Sequence, residues 1–162
     1  MFKELKINDK SRVLLVYPHP DDETYSNACL INRLVKANIS LKVVCLTKGA
    51  KSTLQFGVDG GSLADVREQE FKNVMNYLNV EDYEIWDLED GELEITQNLE
   101  QLVHDLINNY KPTHVGTFEP CGIYGHPDHI HLSKVITNLK NQHNFTLIYA
   151  TVGNNFKPST DT

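Results

Sequence analysis

Short apolar runs alternate with amphipathic stretches along nearly the whole chain, and this alternation is what most restricts its fold. Arg12–Pro18 (RVLLVYP) reads as a buried strand. Glu23–Ala37 carries Ala28, Leu30, Ile31, Leu34 and Val35 at a helical period. Leu41–Thr47 (LKVVCLT) is a second strand, Leu63–Leu78 a helix and Tyr83–Leu88 (YEIWDL) a short third strand. Asp90-Gly91 marks a turn, and a helix is predicted over Thr96–Tyr110 with Thr96 as its cap. Thr113–Phe118 follows as a strand, Glu119–Gly125 as a loop, Pro127–Gln142 as a helix and Phe145–Val152 as a last strand. Lys48–Ser62 is a Gly-rich polar loop, long enough to suggest a functional role. Gly153–Thr162 is a polar tail.

Strand and helix in alternation imply a parallel sheet with helices on both faces. The expected fold class is therefore α/β, a Rossmann-like three-layer αβα arrangement. Its five mainly parallel strands should take the doubly wound order 3-2-1-4-5. No internal repeat or linker interrupts the pattern, so 1–162 is read as one domain with a polar tail. In such a sheet the connections reverse between strands 1 and 4, and ligands bind outside the carboxyl ends of the strands at that point.

Two short segments fall at that crevice. Pro18-His19-Pro20-Asp21-Asp22-Glu23 follows strand 1, and Gly125-His126-Pro127-Asp128-His129 follows strand 4. Pro20 favours an extended His19 and a sharp exit from the strand. Asp22, three residues on, is returned by a turn to the side of His19, while Asp21 between them can face whatever a metal holds. Two adjacent bare carboxylates repel each other, and a dication relieves that repulsion. The plainer reading, two acids capping a helix, suits an isolated Asp-Asp better than His-x-Asp-Asp at a switch point. In the second segment Pro127 suits the first helical position. One imidazole there can ligate while the other stays free, and Asp128 can orient a ring. His, Asp and His are donors that Zn²⁺ takes, and a further carboxylate and imidazole remain to move protons. This set suits metal-assisted hydrolysis.

Composition excludes several other classes. Formal charge is −7, which disfavours a nucleic-acid or anionic-membrane partner. No apolar run approaches the ~20 residues needed to span a bilayer, and MFKELKINDKSR lacks the apolar core of a signal peptide. Cys29, Cys45 and Cys121 are odd in number and without C-x-x-C spacing, which fits a reducing cytoplasmic setting.

The chain resembles the LmbE-like/PIG-L-like zinc N-deacetylases, which remove acetyl groups from N-acetylglucosamine conjugates and related amides. The resemblance is carried by PHPDDE at Pro18–Glu23 and GIYGHPDHI at Gly122–Ile130. LTKG at Leu46–Gly49, RxxE at Arg67–Glu70 and DGEL at Asp90–Leu93 support it in order along the chain. It implies His19, Asp22 and His129 as zinc ligands and Asp21 as general base. His126, as a cation, would stabilise the oxyanion and protonate the leaving amine, with Asp128 steadying it, and Arg67 would touch sugar hydroxyls. Other divalent transition metals suit the same donors. The implied substrate is a small sugar amide; a homo-oligomer is left open. Many members run further after the last strand, so the chain is expected to be a minimal member or a piece of a longer one.

Other residues are weighed on their own surroundings. Tyr124 is a candidate pocket-lining residue, and Thr47 and Lys48 border the same rim. Glu23 is read as capping and orienting the metal loop, and Trp86 and Tyr83 as core. For Arg67 a surface ion pair competes with substrate contact. A receiver-like signalling domain phosphorylated on Asp87, with Thr117 and Lys157, is an alternative on fold alone, but gives His19, His126 and His129 no work. A metal-binding protein without turnover leaves Asp21 and His126 idle. A dinucleotide site is disfavoured because no G-x-G-x-x-G follows strand 1.

Overall fold

The computed structural model describes residues 5–52 and 62–151. Along the chain run β1 (Arg12–Tyr17), α1 (Asp22–Lys36), β2 (Ser40–Thr47), α2 (Leu63–Tyr77), β3 (Asp82–Leu88), α3 (Leu99–Tyr110), β4 (His114–Phe118), α4 (Gly122–Gly125), α5 (Pro127–Leu139) and β5 (Thr146–Ala150). The five strands form one sheet in the order β3-β2-β1-β4-β5, and every pairing is parallel. This is the order read from the sequence.

The unbroken apolar run of β1 is explained by burial on both faces, the normal condition of a central parallel strand. Val13, Leu15 and Tyr17 join Val43 and Cys45 of β2 against Ile31, Leu34, Phe71 and Met75 from α1 and α2. Leu14 and Val16 join Val44 and Leu46 against Val103, Ile107, Leu132 and Ile136 from α3 and α5. The period of two along a strand thus feeds two cores from one sequence. Each fully buried side chain of this kind stabilises by ~1.5–3 kcal/mol over an exposed one. Gly116 of β4 lies opposite Leu15 of β1 in register, and a Cβ there would stand 2.5 Å from Leu15 Cδ2. Its missing side chain lets the two strands that carry the site lie side by side.

Several boundaries differ from expectation. The third helix begins at Leu99, because Thr96 does not cap it: its hydroxyl donates back to Glu92 O at 3.0 Å inside a preceding turn. The expected loop Glu119–Gly125 contains the short helical turn α4. The helix α1 is broken at Asn27 (φ −139°, ψ 16°), whose amide donates to the Tyr17 hydroxyl. The fifth strand ends at Ala150. Residues 53–61 of the polar loop, and the tail from 152, lie outside the described residues.

Candidate active site

The two His/Asp segments meet at the carboxyl ends of β1 and β4, a hundred residues apart in sequence. His19 leaves β1 with its backbone N–H donating to Asp22 Oδ2 at 2.9 Å. The turn this closes returns the Asp22 carboxylate to the ring, with His19 Nδ1 3.2 Å from Asp22 Oδ2. The other oxygen of Asp22 stands 3.3 Å from His129 Nε2. Asp22 therefore bridges the two segments. Burial alone would raise its pKa, but His129 and His19 hold it below the usual carboxylate range.

Asp21 sits at the N-cap position of α1 and makes no side-chain cap, which removes the capping-only reading for it. Its backbone is at φ 93°, ψ −31°, a region L-residues rarely adopt. That conformation splits two adjacent acids. The Asp22 side chain is 6% exposed, whereas the Asp21 side chain is 72% exposed. Burial of its surroundings and the charge of Asp22 raise the Asp21 pKa, against the pull of Arg67.

Arg67, from α2, is the clamp on this acid. Its guanidinium donates to Asp21 Oδ2 at 2.8 Å, to Gly49 O at 3.0 Å and to Pro20 O. Gly49 has φ 64°, and the guanidinium fills the space where its Cβ would stand. Arg67 thus makes an ion pair with Asp21 and also lines the cavity beside it. Thr47 and Lys48 do not line that cavity. The Thr47 hydroxyl donates to Pro18 O at 2.9 Å, and Lys48 pairs with Glu68 and Asp87 at 3.0 and 3.2 Å.

His126 caps α5, with Pro127 at the first helical position as expected. Its Nδ1 accepts the Asp128 backbone N–H at 3.2 Å. A neutral ring must then carry its proton on Nε2. Burial, then the charges of His19 and His129, hold the His126 pKa below the ordinary imidazole value. With Nδ1 accepting, Nε2 is the ring nitrogen left to donate.

Asp128 also departs from expectation. Its carboxylate does not hold His126; it accepts from Gly91 N at 2.8 Å and Leu93 N at 3.1 Å and lies 3.0 Å from His19 Nε2. Asp90 Oδ1 lies 3.1 Å from the same nitrogen, while its Oδ2 accepts from Lys51 N at 2.7 Å. Burial opposes the charge on His19, but Asp128, Asp22 and Asp90 overcome it and raise its pKa to about 11. Asp90 is the site residue that sequence reasoning missed. DGEL marked it, yet the Asp-Gly pair was read only as a turn.

The donors fit a divalent cation. Two groups have ligand atoms all within 4.8 Å of one another, His19 with His126 and His129, and His19 with Asp90 and Asp128. Asp22 adds its oxygens between His19 and His129. One Asp22 oxygen stands 3.2 Å from His19 Nδ1 and the other 3.3 Å from His129 Nε2. His129 is fully buried, and both its ring nitrogens lack a hydrogen bond. Three carboxylates face His19. With Nδ1 given to a cation, Nε2–H would keep its carboxylate partner, the usual support of a metal-bound imidazole. Of these groups His19, Asp22, Asp90 and His126 open on a cavity of about 240 Å³ that also reaches Asp21, Tyr124, Arg67, Lys51 and Ser52. Glu23 lies just behind, 1% exposed, with neither carboxylate oxygen hydrogen-bonded, and burial pushes its pKa to about 7.

Comparison with known proteins agrees with this architecture. A probable N-acetyl-alpha-D-glucosaminyl L-malate deacetylase 2 of Bacillus anthracis is 33% identical over 129 residues, 76% of this chain and 56% of that protein. A diacetylchitobiose deacetylase of Thermococcus kodakarensis is 33% identical over 125 residues, 76% and 47% respectively. The solved N,N'-diacetylchitobiose deacetylase of Pyrococcus horikoshii superposes with a TM-score of 0.71 at 25% identity, covering 79% of this chain and 48% of that one. The chain thus spans about half the length of these relatives. The family described as PIG-L: GlcNAc-PI de-N-acetylase matches residues 14–140, which include every residue of the site, and the chain belongs to that family.

Proposed function

We propose that the protein is a metal-dependent amide hydrolase that removes the N-acetyl group of an N-acetylglucosamine-type conjugate, releasing acetate and a primary amine. The observation that carries this reading is the convergence of Asp21, His126, His19 and Asp22 on one cavity, with the buried His129 within ligand distance of His19 and His126 behind it. In this reading His19, Asp22 and His129 hold the ion, with zinc the first choice, and Asp90 and Asp128 support His19. A bound divalent ion supplies Lewis acidity and acidifies water.

The chain's own residues do the rest. Arg67 holds the Asp21 carboxylate at the cavity mouth, where it accepts a proton from the attacking water as that oxygen bonds to the amide carbon. The His126 Nε2–H donates to the carbonyl oxygen as negative charge develops there. Asp21 then returns its proton to the nitrogen, the C–N bond breaks, and acetate and amine separate. Tyr124 borders the cavity and shields one side. The setting is cytoplasmic in this reading, in keeping with three free cysteines. Among the described residues no helix is long and apolar enough to cross a membrane.

The receiver-like alternative finds no support. It gives His19, His126 and His129 no role at the carboxyl ends of β1 and β4, Thr117 is buried, and Lys157 lies outside the described residues.

The test is amine release from N-acetylglucosamine conjugates by metal-loaded protein. Asp21→Asn should keep the metal and lose ~10²–10⁴ in kcat. Full metal occupancy with no amine from any conjugate would favour a binding protein without turnover.

A further inference from the structure

In the proposed metal centre the two imidazoles are held in different ways. Behind His19 stand Asp128 and Asp90, both close to Nε2. His129 has no such support: it is fully buried, and neither ring nitrogen makes a hydrogen bond among the described residues. A ligating imidazole nearly always gives its second nitrogen to a carboxylate, a carbonyl or water, which fixes the rotation of the ring. With His129 Nε2 turned to Asp22 at 3.3 Å, Nδ1 is engaged by none of the described groups. The rotation of this ring is set by packing.

Phe118, the last residue of β4, is 1% exposed and lies face to face with His129. The ring centroids are 4.2 Å apart and the planes differ by 15°. The other rings around His129 are farther and less parallel: His126 at 4.8 Å and 29°, Tyr124 at 5.1 Å and 66°, His19 at 5.4 Å and 40°. Phe118 is itself fixed from two sides. Tyr17, at the end of β1, meets it edge-on at 5.5 Å and 67°. The Ser133 hydroxyl donates to Phe118 O at 2.8 Å. His129 and Ser133 are i and i+4 on α5, so one face of the helix engages Phe118 through its ring and its backbone together. The base of His129 is closed by Gly122, where a Cβ would stand 2.9 Å from His129 Cβ. Loop backbone thus bears on the root of the side chain, and the phenyl bears on its ring.

The stack also suits a cation on the far nitrogen. An imidazole that ligates a dication carries part of its charge. The face of a phenyl ring attracts positive charge, most strongly where water is excluded.

We infer that Phe118 is the positioning residue of His129: its ring face holds the imidazole in the ligating rotation, the part that Asp128 and Asp90 play for His19. This rests on the reading of His129 as a ligand. Phe118 acts through His129 and does not line the cavity.

Phe118→Leu tests it, since leucine keeps an apolar side chain and removes the ring face. Phe145→Leu is the matched control, the same change at a buried residue just before β5, at the end of the sheet away from the site. Zinc affinity, read by competition with a chelator, should fall about tenfold in Phe118→Leu and stay within about twofold in Phe145→Leu. The visible spectrum of the cobalt-loaded protein reports ligand geometry and should change in Phe118→Leu alone. Nuclear Overhauser contacts between the Phe118 and His129 rings of the wild type should persist when zinc binds. They decide the matter should Phe118→Leu fail to fold. His129→Ala is the reference and should lose stoichiometric zinc. The inference alone is overturned if His129→Ala loses zinc while Phe118→Leu matches Phe145→Leu in affinity and cobalt spectrum, or if the ring contacts vanish on zinc binding. A His129→Ala protein that keeps full zinc overturns the ligand reading, and the inference with it.

Discussion

Glu23→Gln should change how the stability of the metal-free protein depends on pH. The Glu23 carboxyl is buried without a hydrogen bond, and its pKa stands at about 7 against an ordinary 4.5. Burial is the main cause, with the charges of Asp22 and Asp21 adding to it. Between those two values the folded chain holds one more proton at Glu23 than the unfolded chain does. Stability must then fall as pH rises, by up to ~1.4 kcal/mol per pH unit. The contribution is fully present below pH 4.5 and lost as pH passes about 7, in all about 3 kcal/mol. Glutamine keeps the shape and removes the titration. Urea unfolding with a chelator present, at intervals from pH 4 to pH 8, gives both stability curves. The variant should gain on the wild type by about 3 kcal/mol across that window, the difference arising between pH 5 and 7. Parallel curves would refute the reasoning, and would mean that a bonding partner such as buried water satisfies the carboxylate in the folded protein.

Two further predictions concern the metal centre. His129→Ala should abolish stoichiometric divalent-metal binding, whereas His126→Ala should retain it and lose turnover; metal analysis of both proteins checks the division of roles, and the opposite pattern would exchange them. Asp128→Asn removes an acceptor from a carboxylate that serves Gly91 N, Leu93 N and His19 together. It should cost ~1–3 kcal/mol of stability and weaken metal affinity ~10–100-fold, read by thermal unfolding and competition with a chelator.

The strand order was legible because the alternation of segments and the fully apolar β1 leave few ways to bury the sheet. The convergence of PHPDDE with GHPDH followed from that order, since both segments end strands at the reversal. Partner choice within the site was much less legible. Asp128 stands next to His126 in every sequence-based argument, yet its carboxylate turns toward His19, because the N–H groups of Gly91 and Leu93 draw it there. Asp90 escaped notice for the matching reason: its role depends on a loop brought in from β3, and no local spacing encodes that. The Thr96 cap failed because a preceding turn, closed through Glu92 O, competes for the same hydroxyl. Arg67 was flagged, but its hold on Asp21 depends on the empty Cβ position of Gly49.

The left-handed backbone at Asp21 restricts which residues can ever stand there. Only Gly, Asn and Asp take such a conformation cheaply, and of these only Asp accepts a proton at neutral pH. Neutral drift at this position therefore has two easy exits, Asn and Gly. On the proposed assignment each would leave the fold and His19, Asp22 and His129 in place. A lineage built on this scaffold would then stand one codon change from a protein that binds without cutting.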